Sequence, residues 1–317
     1  DKKGTIVINK SPEINEDDVM ELSIELDAED FIVQEDCFEI VTIPEKFSET
    51  IPEQFINCGV AEQNMTAVAS GLALEGKIPF TYSIGNFPTL RCLEQIRNDI
   101  AYHDLPVKIV CIGGGFSYGQ LGMSHHATED LSIMRSIPGM SVYAPCSKEQ
   151  AACLTSYIIN KPGPCYFRLD KAEGSKRVEL SNCIFEKVDL IEEGSDLTIL
   201  ATGSIIKEAE SAYGMLTKDS ISCDLLAVHS IKPIDRVRII DSIKKTRRVV
   251  TVEEHSINGG LGSVIAEICS DECLELTSFK RIGLNDVFSS VVGDQKFLRE
   301  CYSIDAESIY TAAKLLT

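Results

Sequence analysis

Phe55-Ile56-Asn57-Cys58-Gly59-Val60-Ala61-Glu62-Gln63-Asn64-Met65, running on into Thr66-Ala67-Val68-Ala69-Ser70-Gly71-Leu72-Ala73, is the stretch that decides how this chain is read. It predicts a short strand, a glycine turn and a helix whose faces carry small residues. Glycine lets the chain turn where a Cβ would clash, and Ala61, Ala67, Ala69, Gly71 and Ala73 let another backbone come close. Glu62 then enters a tightly packed, apolar place. An unpaired charge is costly to bury and usually neutralises instead, and a neutral carboxyl can share a proton with a ring nitrogen of a bound cofactor. A carboxylate in the first helical turn also suits the helix dipole. The residues by themselves leave both roles open.

Outward from this stretch, strands alternate with helices. Ile78-Pro79-Phe80-Thr81-Tyr82 reads as a strand, 89–102 as a helix and Val107 to Ile112 as a buried strand. A loop then leads to a helix over 129–137, Val142-Tyr143-Ala144, a helix over 148–160 and the strand Cys165 to Arg168. After a polar interval the pattern resumes, with strands at 197–201, 223–228 and 249–252 and helices at 205–217, 235–243 and 262–270. Alternation of this kind means mainly parallel sheets covered on both faces. The expectation is two three-layer α/β/α domains, over 1–175 and 187–317. At the N-terminus, Thr5 to Ile8 suggests an edge strand, 18–26 a helix, and Phe31-Ile32-Val33 a strand ending near Asp36.

The run Gly59-Val60-Ala61-Glu62-Gln63-Asn64-Met65 resembles the signature Gly-x-Ala-Glu-Gln-Asn-Met of the transketolase and deoxyxylulose-phosphate synthase family. The likeness continues by motif and order through roughly 55 to 317, including Glu253-Glu254-His255-Ser256-Ile257-Asn258-Gly259-Gly260. The resemblance implies the thiamine diphosphate-binding fold followed by a transketolase C-terminal-like domain. It makes Glu62 the acid that touches the cofactor's aminopyrimidine ring, with Phe87 stacked on that ring and Ile84 and Asp36 beside it. It makes His125, in Ser124-His125-His126, the histidine that contacts cofactor-bound substrate, and leaves His126 a surface role. Adjacent histidines point apart and no further ligand stands at a suitable spacing, so a metal site here is not expected.

The resemblance also implies the reaction: transfer of a two-carbon ketol unit from a ketose to an aldose, an EC 2.2.1 transferase activity. The family's diphosphate and Mg2+ are held by a Gly-Asp-Gly run with a later asparagine, in another domain. No Gly-Asp-Gly occurs in this sequence. The chain thus looks like the second half of a transketolase, working with an N-terminal transketolase-like subunit as a dimer or heterotetramer. The neighbouring readings are a decarboxylating carboligase, a 2-oxoacid dehydrogenase beta-like subunit, and a noncatalytic partner.

Departures from the family pattern bear on substrate. Leu121 stands where an aspartate is usual, Gly113 where a histidine helps to hold the sugar phosphate, and Lys171 where an arginine is usual. The earliest arginine in the chain is Arg91. Arginine forks bind phosphate bidentately, so their absence points to a modified or nucleotide-linked sugar. Arg91, His125, Leu121 and Gly113 are the candidate substrate contacts, with Arg168 a further candidate for an anion.

A net charge of −19 argues against nucleic acid or an anionic membrane surface as partner. No apolar run reaches the ~20 residues of a membrane helix, and the first residues show no basic-then-apolar signal. The twelve cysteines fall mostly in apolar segments without a Cys-x-x-Cys pair, as expected of reduced thiols. A cytoplasmic location is expected.

Overall fold

The computed structural model describes residues 4–9, 30–33, 37–42, 53–178 and 187–317, with single positions between 15 and 28. The chain divides into two compact units, 1–60 and 61–317. In the first, β1 (Gly4–Asn9), β2 (Asp30–Val33) and β3 (Cys37–Thr42) form an antiparallel sheet in the order β1-β3-β2. The expected strand at Thr5 to Ile8 is therefore present, at an edge. Asp36 and most of 18–26 lie outside the described residues.

Phe55 to Cys58 is not a strand. Among the described residues it has no ladder partner, and extended backbone needs one to persist. The turn itself is as expected. Gly59 takes φ +66°, and its N–H donates to Asn57 Oδ1 at 2.9 Å, a local side-chain turn that glycine accommodates without strain.

The second unit holds two five-stranded sheets, so the expected fold class is what the chain adopts. In one, β4 (Phe80–Ile84), β5 (Lys108–Ile112), β7 (Cys165–Leu169) and β6 (Ser141–Tyr143) lie parallel in that order. In the other, β10 (Cys223–Ala227), β9 (Leu197–Thr202), β12 (Arg248–Ser256) and β13 (Ser278–Leu284) are parallel, and β8 (Asp189–Glu192) runs antiparallel at the edge. The inner strands are buried on both faces, which is why they read as continuous apolar runs rather than alternating ones. β11 (Ser230–Lys232) leaves the second sheet's sequence and pairs antiparallel with β6 of the first. One apolar core accordingly joins Ile109, Val142 and Tyr166 with Leu200, Leu226 and Val249.

Helices cover the sheets: α1 (Glu62–Leu74), α2 (Asp130–Ser136), α3 (Lys148–Asn160), α4 (Ile206–Lys218), α5 (Arg236–Thr246), α6 (Leu261–Asp271), α7 (Gln295–Cys301) and α8 (Ala306–Lys314). Side-chain caps fix several starts. Ser147 Oγ accepts from Gln150 N at 2.9 Å, and Asp294 Oδ1 from Phe297 N at 2.8 Å. The helical stretch over 87–101 winds as a π-helix at Phe87–Arg91 and Ile96–Ala101, a local geometry frequent at functional sites.

Candidate active site

In a parallel sheet, ligands gather where the strands' carboxyl ends open into loops. Here β4 ends at Ile84 and β5 at Ile112, and Gly85 N donates to Ile112 O at 2.8 Å, holding the two loops together. Thr89 Oγ1 donates back to Gly85 O at 2.7 Å, which fixes the turn carrying Phe87. A cavity of about 350 Å³ lies beyond these ends, lined by Asn86, Phe87 and Arg91 among others.

α1 delivers Glu62 to this region. Its buried stripe is Glu62, Thr66, Ala69, Ser70 and Ala73, spaced to put one helix face inward. Glu62 is 7 % exposed, as expected of an acid in a packed place. It is not unpaired, however. Arg91 Nη1 lies 2.6 Å from Glu62 Oε2, and Gln63 Nε2 donates to Arg91 O at 3.0 Å. The sequence reading missed this partner because it lies 29 residues away, brought back by the strand and the π-helical turn.

Arg91 also sits 4.8 Å over the Phe87 ring, and Phe87 meets the His125 ring edge-on at 5.1 Å. Glu62, Arg91, Phe87 and His125 thus form one chain of contacts. His125 Nδ1 pairs with Ser124 Oγ at 3.0 Å, and Asn86 Nδ2 donates to Ser124 O at 2.7 Å, tying the histidine loop to the β4 loop. An antiparallel bridge between Gly115 and Ala127 ties it to the glycine turn after β5. Gly115, at φ +57°, has to be glycine, since a Cβ there would stand 2.4 Å from Glu254 Oε1.

The other expected contacts are distributed differently. Gly113 is buried with a positive φ beneath the Tyr118 ring, and Leu121 is 54 % exposed; neither lines the cavity, and Glu62 and His125 do not line it either but reach it through Arg91 and Phe87. Arg168 is not open to an anion. It is buried and shares Asp130 at 3.4 Å, Asp170 at 3.6 Å and the carbonyl of Glu254 at 2.9 Å, because a guanidinium inside the fold must be neutralised there. His126 corrects the surface reading. It is buried, packs edge-on to Phe116 at 5.1 Å, contacts Gly119 O through Nε2 at 3.2 Å, and burial pushes its pKa below the ordinary range.

Glu129 was not anticipated. It lines the cavity, its Oε1 accepts from Thr128 Oγ1 at 2.9 Å, and burial raises its pKa above the usual carboxylate range. The second half of the chain supplies Phe288 and Ser289 to the same wall, which no local pattern announced. Glu254 braces the arrangement from β12. Its Oε1 accepts from Phe116 N at 2.5 Å and Gln295 Nε2 at 2.7 Å, and its Oε2 is bonded by Arg299 Nε.

The residues present fit the pyrimidine end of thiamine diphosphate: a buried carboxyl at a helix start and an aromatic ring beside it, at a cavity. Among the described residues there is no cluster of three side chains able to hold a metal ion.

Known proteins show the same relationship. Residues 32–176 match the transketolase pyrimidine binding domain and 186–309 the transketolase C-terminal domain. The chain is 34% identical over 271 residues to one of the subunits of the apulose-4-phosphate transketolase of Actinobacillus succinogenes, covering 84% of this chain and 86% of that one. It is 39% identical over 274 residues to the 6-deoxy-6-sulfo-D-fructose transketolase subunit SqwH of a Clostridium species, covering 86% and 84%. A structure described as a split gene transketolase, inactive beta4 tetramer, superposes with TM-score 0.77 at 35% identity, covering 86% of this chain and 87% of that one. The 1-deoxy-D-xylulose-5-phosphate synthase 1 of Geobacter sulfurreducens is 31% identical over 84% of this chain and 42% of its own length. With a buried glutamate, a phenylalanine and a histidine linked at the strand ends of a matching pyrimidine domain, and a matching C-terminal domain behind them, the chain belongs to the transketolase family.

Proposed function

We propose that this chain is one subunit of a thiamine diphosphate-dependent enzyme that transfers a two-carbon ketol unit from a ketose to an aldose-type acceptor, and that a partner chain holds the diphosphate and Mg2+. The observation that carries the reading is the contact chain Glu62, Arg91, Phe87 and His125 beside the cavity. Relatives described as transketolase subunits, aligned over most of their own length, support the division of labour.

When bound, thiamine diphosphate supplies the carbon nucleophile that the protein lacks. Glu62 is placed to hold or give a proton at a pyrimidine nitrogen once Arg91 yields it. Phe87 presents a flat face for the ring. His125 is placed to donate to or accept from a substrate oxygen, and its bond to Ser124 sets the ring's orientation.

The surface beside α1 supports an interface. Ala67, Gly71 and Leu74 face outward on the helix, Gly71 with open space beyond it, and Ile78, Phe80, Tyr82 and Tyr102 are also exposed. Exposed apolar groups of this size mark contact sites for other chains. We assign the face to the partner or to a second copy, in a dimer or heterotetramer, and the location to the cytoplasm.

The test is reconstitution. This chain, assembled with its partner, thiamine diphosphate and Mg2+, is expected to release carbon dioxide from hydroxypyruvate and pass the remaining two carbons to an aldehyde; the chain alone is expected to release none. An assembled complex that leaves hydroxypyruvate intact overturns the proposal.

A further inference from the structure

Among the described residues, Arg91 is the one permanently charged cation on the cavity wall; burial favours the neutral ring of His126, the other basic side chain there. The guanidinium has two partners. Its Nη1 lies 2.6 Å from Glu62 Oε2, and its Cζ stands 4.8 Å over the Phe87 ring. Paired with a carboxylate, it offers an incoming anion little net charge.

The main chain beneath it is fixed. Gln63 Nε2 donates to Arg91 O at 3.0 Å, and Thr89 Oγ1 ties the π-helical turn Phe87–Arg91 to Gly85 O at 2.7 Å. The side chain itself is 46 % exposed and not enclosed. A guanidinium that lost both partners would therefore stay at the cavity, near the Asn86 amide, which gives one N–H to Ser124 O at 2.7 Å and keeps a second. The one carboxyl on the wall, Glu129, already accepts from Thr128 Oγ1 at 2.9 Å, and burial raises its pKa, so it competes less for the cation.

Glu62 and Phe87, the two partners of the guanidinium, are also the two groups assigned above to the pyrimidine ring. We propose that Arg91 is the oxyanion-binding residue for the sugar substrate, locked by Glu62 in the empty site and freed when that carboxyl is taken up by the cofactor. The ligand it fits is an acyclic sugar ending in a phosphate or sulfonate, whose oxygens match the guanidinium fork. The inference rests on the ketol-transfer reading of the site.

Glu62→Gln frees the arginine without cofactor or turnover, so the full chain can be titrated by NMR, with methyl phosphate and methanesulfonate as the probes. The variant is expected to bind at least one of them about fivefold more tightly than wild type, and the double variant Glu62→Gln, Arg91→Met to lose that gain. Equal affinities of Glu62→Gln and wild type for both probes, or a gain that survives Arg91→Met, overturns the proposal. In the assembled, cofactor-loaded enzyme, Arg91→Met is expected to lower the ratio of kcat/KM for D-glyceraldehyde 3-phosphate to that for D-glyceraldehyde about tenfold. An unchanged ratio overturns it. A wild-type complex inert toward hydroxypyruvate would instead sink the ketol-transfer reading, and the NMR titration would still decide Arg91.

Discussion

Arg91 Nη1 lies 2.6 Å from Glu62 Oε2 while the same guanidinium stands 4.8 Å over the Phe87 ring, so one side chain occupies both surfaces that a pyrimidine ring would use. On the proposed reading of the site, cofactor binding would displace it. The arginine is 46 % exposed, which limits the pair's worth to about 1 kcal/mol. Arg91→Met removes the competitor while keeping an apolar stem on Phe87. The Kd of the assembled enzyme for thiamine diphosphate is expected to fall about fivefold by calorimetric titration. Unchanged or weaker binding would show that Arg91 assists the cofactor rather than competing with it.

Glu62→Gln isolates the proton role. The amide keeps the volume, and the bond from Thr66 Oγ1 to the carbonyl of residue 62, 2.8 Å, does not involve the side chain. Loss of the ion pair is expected to lower Tm by only about 2 °C. Turnover with hydroxypyruvate is expected to fall by roughly 10²-fold or more, since an amide cannot exchange a proton with a ring nitrogen. A variant of near-normal activity would mark the chain as a scaffold.

Arg299 and Glu254 test how the C-terminal half braces the site. Both are nearly buried, and Arg299 also reaches Ser204 Oγ at 3.1 Å and Glu208 at 3.3 Å. Arg299→Leu leaves the Glu254 carboxylate buried without its cation, which costs about 3 kcal/mol. The expected result is a Tm roughly 6 °C lower. Because Glu254 also holds Phe116 N, the KM for the acceptor is expected to rise as well. A drop in Tm below about 2 °C would mean that the remaining donors satisfy Glu254 by themselves.

How far the sequence could be read follows from how local each signal was. The alternation of apolar runs with amphipathic segments located the parallel sheets, and Gly59 announced the turn before Glu62. Pairing across distance was not legible. Arg91 read as a free cation because nothing in its own neighbourhood reveals Glu62, and Arg168 read as an anion site because Asp130 and Asp170 join it only in the folded chain. His126 read as a surface residue because histidine is polar, yet Phe116 and Gly119 enclose it. Phe288 lies in another domain from Phe87, and only tertiary packing brings both to one cavity. β11 was invisible for a related reason: three residues carry no period, and its partner β6 belongs to the other sheet.

Glu253 gives a dependence on pH whose sign follows from its surroundings. It is fully buried, with Oε2 accepting from Leu261 N at 2.6 Å and Oε1 from Gly262 N at 2.8 Å at the start of α6. These donors favour the anion, but burial outweighs them and the carboxyl is pushed up to about 7. An unfolded glutamate titrates near ~4.3. Between these values the folded chain keeps a proton that the unfolded chain has released, so this group makes stability fall as pH rises from about 4.5 to 7, and contributes no further change above that. Glu253→Gln removes the titration. Urea melts at pH 5 and pH 7.5 are expected to show the variant gaining roughly 2–3 kcal/mol on the wild type over that interval. A difference that stays constant with pH would mean that the two helix amides hold Glu253 ionised in the folded chain.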